Sequence, residues 1–290
     1  MDGIIIINKP KNCTSHDIVQ KVKKMLNEKV GHTGTLDPMA TGVLPLLIGK
    51  GTLCSKYLIN HDKIYEVKLT LGKKTDTADG EGVILEEKNV SKEVFQKEKI
   101  KETLEKFLGK QEQIPPMYSA IKVKGKKLYE YARKGQKVEI HPRQIEIYDI
   151  KLLEINQQEK QIKFQVACSK GTYIRSLCED IAKKMGTVGY MSGLKRMQVG
   201  DFKIIDAVSI DVLQENIENR EFMEQHFITL EKLFQNKQTI NLDDKELKLF
   251  LNGVRLTQKQ ENEIYRIYHD KRFIGMGIIE NQLLKRDIIL

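Results

Sequence analysis

The chain has 290 residues, long enough for one large core and a smaller one, and carries 49 Lys and Arg against 40 Asp and Glu, a formal charge of +9 with a pI near 9.1. No apolar run approaches the length of a membrane span, and the start, Met1-Asp2-Gly3 before four isoleucines, shows neither a basic leader nor a cleavage site, so neither a membrane protein nor a secreted one is expected. Four cysteines without a Cys-x-x-Cys pair exclude a disulfide framework and point to reduced thiols in the cytoplasm, while the basic balance favours an anionic partner.

Ile4 to Ile7 read as a buried strand, and Thr14-Ser15 is a helix start signal ahead of Ile18, Val19, Val22 and Leu26 at helical spacing. Next comes Gly31-His32-Thr33-Gly34-Thr35-Leu36-Asp37-Pro38-Met39-Ala40-Thr41-Gly42-Val43-Leu44-Pro45. A residue before proline is steered away from the helical region, so Asp37 is presented on extended or turning backbone, and the glycines permit close approach by a ligand. A plain Asp-Pro turn and a reactive carboxylate both satisfy that pattern. Val43 to Ile48 predict a second buried strand, Thr52 to Ile59 a helix, and Lys63 to Leu71 a half-buried strand carrying one aromatic, Tyr65. Residues 73–82 read as a polar loop whose acids lack calcium-loop spacing. Residues 91–108 read as an amphipathic helix with Val94, Ile100, Leu104, Phe107 and Leu108 on its apolar side.

Between residues 121 and 143 stand eight Lys or Arg, among them Lys122, Lys124, Lys126, Lys127, Arg133, Lys137 and Arg143, against two Glu. Interleaved with Tyr129 and Tyr131, they fit either a surface that tracks a nucleic-acid strand or a solvated insertion. Strands are predicted over 144–154 and 161–167. Ser169 to Ser176 then lead into a helix through Leu177, Ile181 and Met185. If the chain is still extended there, Tyr173 and Arg175 share one face. An arginine at a helix start opposes the dipole, which implies a partner elsewhere or simple surface exposure. Beyond Leu194-Lys195-Arg196 come two helices and a linker near residue 235. The last 56 residues read as short strands with turns at Asn252-Gly253 and Gly275-Met276-Gly277. Gly49-Lys50-Gly51-Thr52 lacks the upstream spacing of a phosphate loop, and the six histidines show no zinc spacing, so no metal is expected.

The fifteen residues from Gly31 to Pro45 resemble the nucleophile loop of tRNA pseudouridine-55 synthases of the TruB and dyskerin type. Asn8-Lys9-Pro10 with Thr14-Ser15, Lys63-Ile64-Tyr65, Thr75-Asp76-Thr77, Gln113 to Ala120, Gly171 to Arg175 and Leu194-Lys195-Arg196 extend the resemblance in family order. Asn12 departs from the family's usual glycine, and Lys74 and Lys195 from its usual arginine. The likeness is strong over residues 1–203 and loose beyond. It implies an α+β pseudouridine synthase fold: a central mixed, largely antiparallel sheet flanked by helices, plus a small C-terminal β-rich PUA-like domain. Residues 1–234 would form the catalytic domain, with an RNA-gripping insertion at about 121–143, and residues 235–290 the PUA-like RNA-binding domain.

The resemblance further implies isomerisation of uridine 55 in the T-loop of tRNA, without a cofactor, by an aspartate meeting the ribose C1′ of a flipped-out nucleotide. Asp37 would be that aspartate, Tyr65 would stack on the target base and is a candidate proton relay, and Arg175 would keep Asp37 ionised. His32 would fill the place vacated by the base, Tyr173 would position Asp37 and Arg175, Leu194 would wall the base pocket, and Lys9 with Pro10 would brace the loop. The basic insertion and the C-terminal domain would grip the T-arm and the acceptor end of tRNA, and the protein is expected to be a cytoplasmic monomer. A tRNA-folding chaperone acting without chemistry is the alternative. A glycoside hydrolase is a distant third, because it would normally need a second carboxylate as acid and a sugar-binding aromatic surface, and the chain has no tryptophan.

Overall fold

The computed structural model describes residues 1–136 and 138–290; Lys137, counted above in the basic insertion, lies outside them. Four consecutive isoleucines cannot alternate between a wet and a dry face, so the strand they form must be covered on both sides. That strand is Gly3–Lys9, with Ile4 to Ile7 buried. It sits within a ten-stranded sheet whose main path runs Phe227–Thr229, Gly3–Lys9, Thr41–Ile48, Gly189–Val199, Lys63–Leu71, Gln161–Cys168, Arg143–Asn156 and Gly109–Gln113. Pairings along this path are antiparallel except that between Thr41–Ile48 and Gly189–Val199. The sheet is mixed and largely antiparallel.

Helices cover it where the periodicity demands. Thr14 caps Ser15–Leu26, Asp17 completes a capping box, and Ile18, Val19 and Val22 lie against Ile5, Ile7, Leu44 and Leu46. Further along the sheet, Lys97–Glu105 and Ile174–Lys184 set Ile100, Leu104, Leu177 and Ile181 on Val67, Leu69, Ile162, Phe164 and Val166. Each fully buried side chain of this kind contributes about 1.5–3 kcal/mol relative to exposure. The central strands are thus a firm floor for the loops at their ends.

Several elements differ from expectation. Residues 52–59 split into a 3-10 turn, Gly49–Cys54, and one helical turn, Ser55–Leu58. The helix expected over 91–108 is confined to Lys97–Glu105 behind a 3-10 turn, and Leu108 lies exposed beyond it. Part of the 73–82 loop is strand: Lys73–Thr75 pairs with Ile84–Glu87. The long central strand Gly189–Val199 escapes sequence patterning because its inward positions include Gly189, Gly193 and Arg196, which carry no hydrophobic period. Asn12 takes the glycine-like conformation its position needs, φ 61°, which asparagine tolerates.

The C-terminal part is a five-stranded sheet ordered Thr239–Asn241, Ile264–His269, Arg272–Glu280, Leu283–Ile289 and Leu256–Thr257, with the helix Asp244–Leu251 beside it. Gly275-Met276-Gly277 is not a turn. It lies inside Arg272–Glu280, where Met276 is fully buried and the register shifts between Met276 and Gly277. Gly275, at φ 144°, has no room for a Cβ against the Ile288 carbonyl, so the glycines mark a bulge. Met276 and Ile288 share one apolar cluster with Ile4, Val43, Leu47 and Phe234, and Tyr57 and Lys56 both meet Asp287. Among the described residues no helix is long and apolar enough to cross a membrane.

Candidate active site

The Asp37 loop is pinned at both ends. Ser15, at the start of its helix, accepts the Leu36 N–H at 2.9 Å, and the Ala40 N–H donates to the Asp37 carbonyl at 3.0 Å. Lys9 is fully buried, and its Nζ donates to the carbonyls of Cys13 (2.7 Å), Pro10 (2.9 Å) and Pro38 (3.3 Å). Lys9 therefore ties three loop carbonyls together, while Pro10 itself is exposed.

From this turn the Asp37 carboxylate faces Arg175, with Oδ2 3.1 Å from Nε and Oδ1 3.5 Å from Nη2. Arg175 is in the first turn of Ile174–Lys184, so it is already helical. The face it shares with Tyr173 comes from the helix start and not from a strand, with Tyr173 as the extended residue that precedes it. Being at a helix N-terminus, the guanidinium finds its partners elsewhere, donating to the carbonyls of Tyr118 (2.8 Å) and Thr77 (3.2 Å). A second carboxylate, buried Asp79, lies 3.7 Å from its Nη1 and accepts from Thr77 Oγ1 and the Glu81 N–H. Burial pushes the Asp37 carboxyl above the ordinary carboxylate value; Arg175 opposes this, Asp79 adds to it, and Lys9 opposes it. The expected depression by Arg175 is thus outweighed, because the guanidinium is shared between two acids in a desolvated site.

Asp37, Arg175, Tyr65, Tyr173, Leu194 and Met191 line one cavity of about 120 Å³. The backbone of Tyr173 is clamped by Gln113, which accepts its N–H at 2.8 Å and donates to its carbonyl at 3.1 Å. Tyr65 is buried, and burial raises its phenol above the ordinary value. It also borders a second cavity of about 500 Å³, whose lining includes the cations Lys63, Arg143, Lys170 and Arg196. Among the described residues, Arg143 alone of the basic residues picked out in 121–143 reaches this neighbourhood.

The others lie apart. Lys122–Val123 and Lys126–Lys127 form a small hairpin followed by the helix Leu128–Ala132, anchored by buried Leu128. Lys122, Lys124, Lys126 and Arg133 are exposed and Lys127 is half-buried. The tyrosines expected to meet bases have local partners: Lys127 and Arg133 lie over the Tyr129 ring at 5.4 and 5.3 Å, and the Tyr131 hydroxyl donates to the Val123 carbonyl. His32 is not in the Asp37 cavity. It faces a groove with His16, Gln20, Lys23 and Lys24, and its Nδ1 accepts the Gly34 N–H; burial and Arg196 hold it below its ordinary value, hence neutral at pH 7.

Sequence reasoning assigned no part to Asp79, Gln113, Ser15 or Arg196. Each stood inside or beside a motif already singled out, but only spatial closure shows what it touches. Among the described residues no group of three or more His, Cys, Asp or Glu is arranged to hold a metal ion.

Comparison with known proteins gives consistent matches. Residues 22–174 match the TruB family pseudouridylate synthase N-terminal domain, residues 175–252 the tRNA pseudouridylate synthase B C-terminal domain, and residues 239–285 the C-terminal region of pseudouridine synthase II TruB. The chain is 44% identical over 285 residues to tRNA pseudouridine synthase B of Clostridium tetani (strain Massachusetts / E88), covering 96% of this chain and 95% of the relative. It is 40% identical over 289 residues to the protein of that name from Caldanaerobacter subterraneus subsp. tengcongensis, covering 98% of each. Among solved structures, a chain of a Cbf5–Nop10–Gar1 complex superposes with a TM-score of 0.70 at 26% identity, over 95% of this chain and 78% of that one. One from an H/ACA RNP bound to a substrate RNA containing 2′-deoxyuridine gives 0.70 at 22% identity, over 99% and 85%, a likeness of fold.

Proposed function

The chain belongs to the TruB family of pseudouridylate synthases and is a pseudouridine synthase, and we propose that it acts on tRNA, isomerising uridine 55 of the T-loop with Asp37 as the group that meets the ribose C1′. The observation that carries this reading is the Asp37 carboxylate on its proline-fixed turn, 3.1 Å from Arg175, in a cavity walled by Tyr65 and Leu194.

A base inside a stack cannot reach that carboxylate, so the nucleotide must be extruded at a cost of a few kcal/mol. Phosphate contacts along the basic hairpin and Arg143 offset that cost. His32 fills the place the base leaves, and the neutral imidazole has the shape and polarity for it. In the cavity the uracil stacks on Tyr65 against Leu194. Asp37 supplies negative charge at C1′ as the glycosidic bond breaks, the uracil turns, and the bond re-forms at C5. Arg175 keeps enough of Asp37 ionised for this in a site where burial favours the acid form. Tyr173, clamped by Gln113, holds Arg175 in place, and Lys9 with Pro10 braces the loop. Residues 1–234 serve as the catalytic domain and residues 235–290 as a PUA-like domain that takes the acceptor end.

The test is incubation of the purified protein with an unmodified tRNA transcript, followed by position-resolved mapping of pseudouridine. The expected outcome is a single modified position, 55, and none with Asp37→Asn protein. Modification elsewhere, or at 55 by the variant, rejects the reading.

A further inference from the structure

Arg196 is the largest fully buried side chain of the protein, 2% exposed, on the central strand Gly189–Val199. Its Nε donates to the Val43 carbonyl at 2.7 Å and its Nη2 to the Gly34 carbonyl at 3.0 Å. Among the described residues no carboxylate draws its charge, and the group that does is Tyr65. Removing a cation from water costs several kcal/mol, and neutral carbonyls offset only part of this. The guanidinium is therefore held in a position where any negative charge appearing nearby is strongly favoured.

Tyr65 stands where that charge can appear. It is the direct cross-strand partner of Arg196, so the two side chains lie on one face with Cβ atoms about 4.5–5.5 Å apart. Arg196 borders the larger cavity and Tyr65 borders both that cavity and the one holding Asp37. A guanidinium has no acceptor, so where the two meet the phenolic oxygen accepts, and the phenol's own proton is not used in that contact. The backbone fixes this arrangement: Gly42, at φ 106°, pairs with Arg196 across the parallel junction and has no room for a Cβ against the Arg196 main chain.

We propose that Arg196 is the counter-ion of a transient Tyr65 phenolate, through which Tyr65 moves the proton that completes the isomerisation. This rests on the reading of Tyr65 as the proton relay. Once the uracil has rejoined the ribose through C5, that carbon bears both a hydrogen and C1′. Tyr65 passes its hydroxyl proton to N1, leaving a phenolate beside Arg196. The phenolate then takes the C5 proton and becomes phenol again. The C5–H electron pair becomes the C5–C6 double bond, the N1–C6 double-bond pair returns to N1, and one proton has moved from C5 to N1 with nothing else consumed. Burial, Cys168 and Asp37 all disfavour the phenolate, and Arg196 is the charged group beside it that favours it.

A pair of tRNA transcripts separates this role from a structural one. With uridine at the target, a C5–H bond must break; with 5-fluorouridine there is none, while every step up to C5 rejoining is open. Arg196→Gln is expected to slow conversion of the uridine tRNA by about 100-fold and to leave rearrangement of the fluorinated tRNA within about twofold of the parent. Arg196→Lys, which keeps the buried cation, is expected to lose about tenfold on the uridine substrate alone, and it decides the matter if the glutamine variant unfolds. Equal losses on both substrates, or no loss on uridine, overturn the inference. A parent protein that leaves both tRNAs unchanged overturns the proposed function instead.

Discussion

Arg175 and Arg196 are buried and held by backbone carbonyls, whereas Lys122, Lys124, Lys126 and Arg133 stand exposed on a hairpin and one short helix, anchored by Leu128. Both regions are basic, and their physics is opposite. In the cleft, low dielectric magnifies each charge, so geometry to a fraction of an ångström decides whether Asp37 is an acid or an anion. On the hairpin each cation is solvated and screened, so it contributes by number. The contrast is the basis for proposing chemistry in the first region and strand affinity in the second.

The largest blow to the contrast is Asp37→Asn. It is expected to lower single-turnover conversion at least about 10⁴-fold while tRNA affinity stays within about tenfold, since the carboxylate adds nothing to phosphate binding. Appreciable turnover by this variant removes the chemistry from the cleft. Arg175→Met comes next, with a loss of about 10²- to 10³-fold and a moved pH profile. In the proposed mechanism Asp37 works as a carboxylate, so the rate is expected to rise with pH through its titration. Burial already holds that titration above the ordinary carboxylate value and Arg175 restrains it; without the guanidinium the acid limb moves to still higher pH. An unmoved limb in a pH series denies that Arg175 acts on Asp37.

On the hairpin, replacing Lys124, Lys126 and Lys127 together by Gln is expected to weaken binding and lower the slope of log affinity against log salt by up to about one per lost phosphate contact. The rate at saturating tRNA stays at the parent level. An unchanged salt slope takes the hairpin out of the interface. The smallest effect belongs to Tyr131→Phe, which deletes the hydroxyl donated to Val123. A hydrogen bond of this kind is worth about 1 kcal/mol, so affinity falls about fivefold if the hairpin's shape matters. It stays unchanged if the ring alone meets the RNA, and a titration by filter binding distinguishes the two.

Much of this was legible before any folding. Isoleucines in a row, capping at Thr14, alternation at Lys63 to Leu71 and the unbroken stretch around Asp37 each act over a few residues, where propensity and period are strong. The bulge at Gly275 and the strand Gly189–Val199 were not legible, because glycine and arginine mark inward positions there by what packs on them from other strands. Asp79 was hidden for a similar reason: an acid in a polar loop looks solvated until Arg175 closes over it from residues nearly a hundred positions away.

The sequence by itself determined the composition of the site: the presented Asp37, the aromatic at 65, the arginine at 175 and the basic hairpin. Only the tertiary structure decided their electrical state. It made Arg175 common to two carboxylates, left Arg196 buried with no acid of its own among the described residues, and kept His32 in a separate groove. The physical reason is that charge energies depend on burial and on distances between residues far apart in the chain, and neither quantity exists until the sheet has closed.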